Sequence, residues 1–122
     1  MRGLALAVYW TMLLGAAPAT GGQLDLSAWA GTWVDHDDTI TLAIASDKIL
    51  AKGEAYWPSA AAPTPHIGAF NGLGQPARDR LTIADGNCVV EMWLVHGKLF
   101  VSDDAQCGAR NVRFEGIYVR KK

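Results

Sequence analysis

The stretch Cys88-Val89-Val90-Glu91-Met92-Trp93-Leu94-Val95-His96-Gly97-Lys98-Leu99-Phe100-Val101-Ser102 decides the fold. Two apolar-rich runs of strand length flank His96-Gly97, and a two-residue turn there pairs Val95 with Lys98, Trp93 with Phe100, and Glu91 with Ser102. Such a hairpin has two unlike faces. Met92 and Leu94 fall with Leu99 and Val101 on an aliphatic face suited to a core, and Trp93 and Phe100 form a cross-strand aromatic pair on the other. If only the aliphatic face is inside, the aromatic pair is exposed and marks a contact surface for a partner. The plainer alternative is that another segment, such as the Pro-rich stretch Pro58 to Pro65, covers it.

Outward from this hairpin the same period-two pattern recurs, and after residue 22 no helical apolar spacing persists for more than a turn. The expected strands are Gly31 to Val34, Thr39 to Ala45, Lys48 to Tyr56, His66 to Phe70, Arg80 to Ala84, Cys88 to Val95, Lys98 to Ser102 and Val112 to Val119. Pro58 to Pro65 and the glycine-containing Asn71 to Ala77 read as loops. Strict alternation from Val112 puts Phe114, Gly116, Tyr118 and Arg120 on one side, so that Arg120 follows the aromatics inward. Near the other terminus Gly31-Thr32-Trp33 opens the first strand. These two features resemble the lipocalin-type (calycin) barrels, in which the indole of an N-terminal Gly-x-Trp packs beneath an arginine of the last strand. The expected fold is an all-β domain, a small antiparallel up-and-down barrel of about eight short strands, which also removes exposed sheet edges.

The N-terminus reads as an export signal. Met1 and Arg2 lead into the apolar run Gly3 to Leu14, and the small-residue stretch Gly15 to Ala19 ends in Ala17-Pro18-Ala19, a signal-peptidase exit. Residues 1–19 are therefore expected to be a cleaved signal peptide and residues 20–122 a single domain, secreted or periplasmic. Beyond the signal no apolar stretch approaches the ~20 residues of a membrane span, and no cysteine at the cleavage site offers a lipid attachment point. With a net charge of −1, the chain lacks the basic excess that binding to a phosphate backbone needs, so nucleic acid is not an expected partner. Its charge is nonetheless uneven: Asp35, Asp37, Asp38, Asp47 and Glu54 crowd an early segment, and Arg110, Arg113, Arg120, Lys121 and Lys122 close the chain. These read as solvated faces that folding can make neighbours.

In an oxidising compartment the cysteines, Cys88 and Cys107, read as one disulfide, closing a loop worth roughly 3 kcal/mol on the chain-entropy model. No catalytic motif is present, and no cysteine is left over as a nucleophile, so neither enzymatic activity nor a cofactor is expected. Asp35-His36-Asp37-Asp38 gathers hard metal ligands but lacks calcium-loop spacing and reads as a polar turn. His36, His66 and His96 would suit zinc only if they converged, and nothing in their spacing says that they do, so no metal is expected. Gly72-x-Gly74 imitates a dinucleotide fingerprint without the following helix. Among the many aromatics, Trp57, Trp93 and Phe100 are the candidate partner-binding residues, and Trp33 with Arg120 the structural pair.

Asn87-Cys88-Val89-Val90, Gly97-Lys98-Leu99-Phe100-Val101-Ser102-Asp103-Asp104, Cys107-Gly108 and Asn111-Val112-Arg113-Phe114-Glu115-Gly116-Ile117-Tyr118-Val119-Arg120 together resemble a family of small secreted proteobacterial proteins. Its pattern is Cys…Leu-x-Val-x-Asp-Asn…Cys-Gly-Gly-x-Asn-Val-x-Phe-x-Gly-x-Tyr-x-Arg, and Trp29-Ala30-Gly31-Thr32-Trp33 and Gly53-Glu54-Ala55-Tyr56-Trp57 also fit. The chain departs at Asp104, where the pattern has Asn, and at Ala109, where it has Gly. In some chains the family accompanies domains similar to secreted lysozyme inhibitors. The resemblance implies binding and carries no catalytic residue. The functional expectation is thus an exported, monomeric barrel that inhibits or sequesters a secreted or host protein such as lysozyme. The alternatives are a carrier of a small apolar ligand inside the barrel and a structural envelope protein.

Overall fold

A computed structural model describes residues 25–57, 66–104, 106–108 and 112–122; the expected signal peptide and the stretch Pro58 to Pro65 lie outside them. Eight strands follow a short 3-10 turn, Leu26–Ala28: β1 Gly31–Asp35, β2 Asp38–Ala45, β3 Lys48–Trp57, β4 His66–Gly74, β5 Arg80–Asp85, β6 Cys88–Val95, β7 Lys98–Asp103 and β8 Gly116–Arg120. They form one antiparallel sheet in the order β4-β3-β2-β1-β8-β7-β6-β5, so the first and last strands meet at its centre. The sheet curls into a nearly closed up-and-down barrel whose remaining seam runs between β4 and β5. Among the described residues no helix is long and apolar enough to cross a membrane.

Local chemistry explains the tight turns. His96 and Gly97 both take positive φ, 51° and 78°, as a type I′ turn requires, and the hairpin pairs in the expected register, Trp93 opposite Phe100. His36 and Ser46 likewise turn with positive φ, 56° and 64°, and Gly86 does so at 62°. Period-two alternation then sends Ile40, Leu42, Ile49, Leu81, Ile83, Val90, Met92 and Leu99 inward, where they are fully buried. Each contributes roughly 1.5–3 kcal/mol over leaving the side chain in water. Across the interior, Phe70 and Phe114 meet edge to face with ring centroids 4.8 Å apart.

The structure corrects three expectations. First, the fourth strand runs on through Asn71–Gly74, which had the composition of a loop. Its glycines lie on the inward face at the seam. A Cβ on Gly74 would stand 2.6 Å from the Thr82 carbonyl oxygen, and one on Gly72 2.9 Å from Ile83 Cγ2. Glycine is used here so that β4 can approach β5, with the Asn71 N–H donating to Asp85 Oδ2 at 2.9 Å across the gap.

Second, the last strand starts at Gly116, not Val112. Val112 and Phe114 still bury their side chains, but the Phe114 N–H is taken by the Asp103 carboxylate in place of a ladder carbonyl. Asp103 Oδ1 also accepts from Arg113 Nε at 2.8 Å. Within this connection Cys107 is bonded to Cys88 at the start of β6, S–S 2.05 Å, and its carbonyl accepts from the Ala69 N–H at 3.1 Å.

Third, most of the acidic and basic segments are parted by the fold, the exceptions being Asp47, at the end that holds Arg120, and Arg113, at the end that holds Asp35. Because β8 is antiparallel to β1, Asp35, Asp37 and Asp38 lie at one end of the barrel and Arg120, Lys121 and Lys122 at the other. Glu54, Asp85, Asp103, Asp104 and Glu115 join the acidic end, where Arg113 also lies, paired with Asp103 and Glu115; Lys48, Arg78 and Lys98 join the basic one, which also holds Asp25, Asp47 and Asp79. Acids thus outnumber bases at one end of the barrel and bases outnumber acids at the other.

Candidate functional site

The outward side chains of four adjacent strands build the site. The ladders set Arg80 of β5 beside Trp93 of β6, Trp93 beside Phe100 of β7, and Phe100 beside Ile117 of β8. This row crosses the outer wall of the barrel. Around Trp93, Phe100 and Ile117 opens a surface groove of about 550 Å³, with Val95 at one border and Ser102, Glu115 and Gly116 at the other. Phe100 is 36% exposed, Ile117 50% and neighbouring Val119 48%, a contiguous apolar patch on the outer wall. Trp93 is half-buried because the Arg80 guanidinium stands over its ring, 5.5 Å from the centroid, held by an ion pair with Glu91.

The floor is apolar, and one border carries the hydroxyl of Ser102 and the carboxylate of Glu115. Glu115 accepts from Arg113 Nη2 at 3.1 Å, and Arg113 in turn holds the buried Asp103. The wall formed by Glu115 and Gly116 is therefore tied to the connection that the disulfide braces. A preorganised apolar surface with a polar rim can exclude water from a protein contact without reordering itself.

The inner faces of β1 and β8 carry a different arrangement. Trp33 stands opposite Arg120 in the ladder, with the guanidinium 4.6 Å from the indole centroid, and Trp33 Nε1 donates to the Trp29 carbonyl at 2.9 Å. Arg120 also reaches the Ala28 carbonyl. Arg120 does lie on the same side as Phe114 and Tyr118, but at the mouth of the barrel, so its residue stays exposed while Tyr118 is fully buried. The Tyr118 hydroxyl donates to the Phe114 carbonyl at 2.9 Å, and burial foremost, with nearby Asp38 and Asp35, pushes its phenol well above the usual range. Asp38 is held above the usual carboxylate range chiefly by burial, against the Tyr56 N–H that it accepts at 3.0 Å.

The structure thus brings Trp93 and Phe100 together in one groove and places Trp57 elsewhere, as the last residue of β3, with its side chain outside the described residues. The histidines do not converge by topology: His36 is in the β1–β2 turn, and His96 in the β6–β7 turn at the opposite end of the barrel. His66 opens β4 on the same end as His36, its side chain outside the described residues. Among the described residues no three His, Cys, Asp or Glu side chains are placed to hold a metal ion.

No family model, curated protein or solved structure matches the chain.

The site rests on its own geometry. Sequence reasoning missed Ile117 and Val119, although the alternation that sends Phe114 and Tyr118 inward sends these two outward. It also missed Asp103, which continues the inward series Leu99, Val101 and is buried.

Proposed function

We propose that the protein is an exported, non-catalytic β-barrel that acts by binding another protein. On this reading it is an inhibitor or sequestering module of the periplasm or the extracellular space, in keeping with the secreted proteobacterial family that its Cys88 to Arg120 pattern resembles. The observation that carries the reading is the apolar groove around Trp93, Phe100 and Ile117 on the outer wall of the barrel. Aromatic anchors with a polar rim are the usual content of a protein-binding hot spot. The interior favours binding at the surface over carriage inside: Trp33, Phe70, Phe114 and Tyr118 all bury their rings there. The expected signal peptide and a disulfide between two buried cysteines support an oxidising destination.

A pull-down from periplasmic extract or host secretions tests the reading, with lysozyme assayed directly. A retained protein that Phe100→Asp releases is the expected result. Empty eluates together with full lysozyme activity would remove the inhibitor assignment.

A further inference from the structure

We propose that a second copy of this chain occupies the groove, forming an antiparallel, two-fold dimer in which the basic end of each barrel lies against the acidic end of the other. This rests on the groove being a protein-contact surface and names its occupant.

Two observations point to a self-complementary partner. On β7, Lys98 and Ser102 stand two residues on either side of Phe100, about 6.6 Å away along the strand in each direction. Lys98 is exposed and has no ion-pair partner among the described residues. Ser102 is flanked by two carboxylates that each already hold one arginine: Glu91, its ladder partner on β6, pairs with Arg80, and Glu115, which precedes β8 and lines the groove, pairs with Arg113. A two-fold axis in the plane of the interface, running along the Trp93–Phe100–Ile117 row, reverses the strand direction of the second copy. It stacks Phe100 on Phe100 and sets each Lys98 over the other copy's Ser102, between Glu91 and Glu115. The same operation lays Lys121 and Lys122 of each copy toward the end of the other barrel that carries Asp35, Asp37, Asp38 and Asp104, where Arg113 is already paired with Asp103 and Glu115. A two-fold axis along the strands would instead bring like poles together, so the charge imbalance between the two ends selects the antiparallel arrangement.

Two convex barrels touch over less than the roughly 1,600 Å² of a standard interface, so the dimer exchanges rapidly and is micromolar or weaker. The test is sedimentation equilibrium of the purified, oxidised protein from low micromolar up to about 1 mM. The expected result is an average mass that rises with concentration toward twice that of one chain and falls when salt is added. Phe100→Asp weakens association at least ~10-fold and Lys98→Glu ~5- to 10-fold. Adding Glu115→Lys to Lys98→Glu restores affinity to within ~3-fold, an effect that a merely misfolded variant cannot produce. Circular dichroism and an intact disulfide confirm that each variant is folded. A protein that stays monomeric at every concentration overturns the proposal, as does a dimer indifferent to Phe100→Asp and to the charge exchange. A monomer that still captures another protein through Phe100 sinks the dimer while leaving the binding reading in place.

Discussion

Arg120 and Trp33 face each other across the ladder that joins the last strand to the first, and the guanidinium lies 4.6 Å from the centre of the indole ring. The contact couples the two chain ends at the place where the meander becomes a barrel. A covalently distant pair, the ring of β1 and the charge of β8, thereby seals one mouth. The 3-10 turn before β1 joins in, since the carbonyls of Ala28 and Trp29 accept from Arg120 and Trp33.

Removing that contact should loosen the closure without destroying the fold. Arg120→Ala is expected to cost about 1–2 kcal/mol, from the cation–π contact and the hydrogen bond to Ala28. Trp33→Ala, which also empties a buried volume, should cost roughly 3–5 kcal/mol. Urea unfolding followed by tryptophan fluorescence measures both, and an Arg120→Ala midpoint equal to that of the parent would contradict the closure role.

Breaking the disulfide tests the brace on the β7–β8 connection. The double variant Cys88→Ser with Cys107→Ser should lose about 2–4 kcal/mol. Hydrogen exchange should speed most at Ala69, whose N–H donates to the Cys107 carbonyl, and at Phe114, whose N–H is held by Asp103. Uniform acceleration across the barrel would show instead that the connection is not a local unit.

At the seam, side chains are excluded by the neighbouring strand. Gly74→Val places a branched group where even a Cβ would stand 2.6 Å from the Thr82 carbonyl. We expect a loss of about 2–3 kcal/mol, with the β4 and β5 amides deprotected first. Thr82→Val, whose side chain points to solvent, is the control and should change stability by less than ~0.5 kcal/mol.

Tyr118 gives a pH dependence with a definite sign. Its folded phenol titrates above the unfolded value of 10.0, because burial disfavours the phenolate. Its contribution is fully present below about pH 10 and is lost as pH rises through that value, since only the unfolded chain then gives up the proton. Tyr118→Phe should cost about 1 kcal/mol at neutral pH, for the lost bond to the Phe114 carbonyl, and show a shallower decline above about pH 10. Parallel alkaline curves for the two proteins would place the sensitivity elsewhere.

Much of the barrel was legible before the structure because strand signals are local. The turn at His96-Gly97, the alternation of Leu99 and Val101 against Phe100, and the pairing of Trp93 with Phe100 follow from residue type and period alone. The Cys88–Cys107 bond followed from an even cysteine count in an expected oxidising compartment. The seam was misread because glycine in a strand looks like glycine in a loop until the neighbouring strand is known.

By itself, the sequence determined that the chain has about eight short strands, the two faces of the β6–β7 hairpin, the inward series Phe114, Tyr118 and Arg120, and the pairing of Trp93 with Phe100. Only the tertiary structure decided that Phe100 stays exposed, that Arg80, Trp93, Phe100 and Ile117 share one row, that Asp103 caps Phe114, and that most acids gather at one end of the barrel and most bases at the other. The physical reason is that alternation is written in neighbouring residues. Strand order, and with it the company each outward side chain keeps, is set by which ends of the chain the closed barrel brings together.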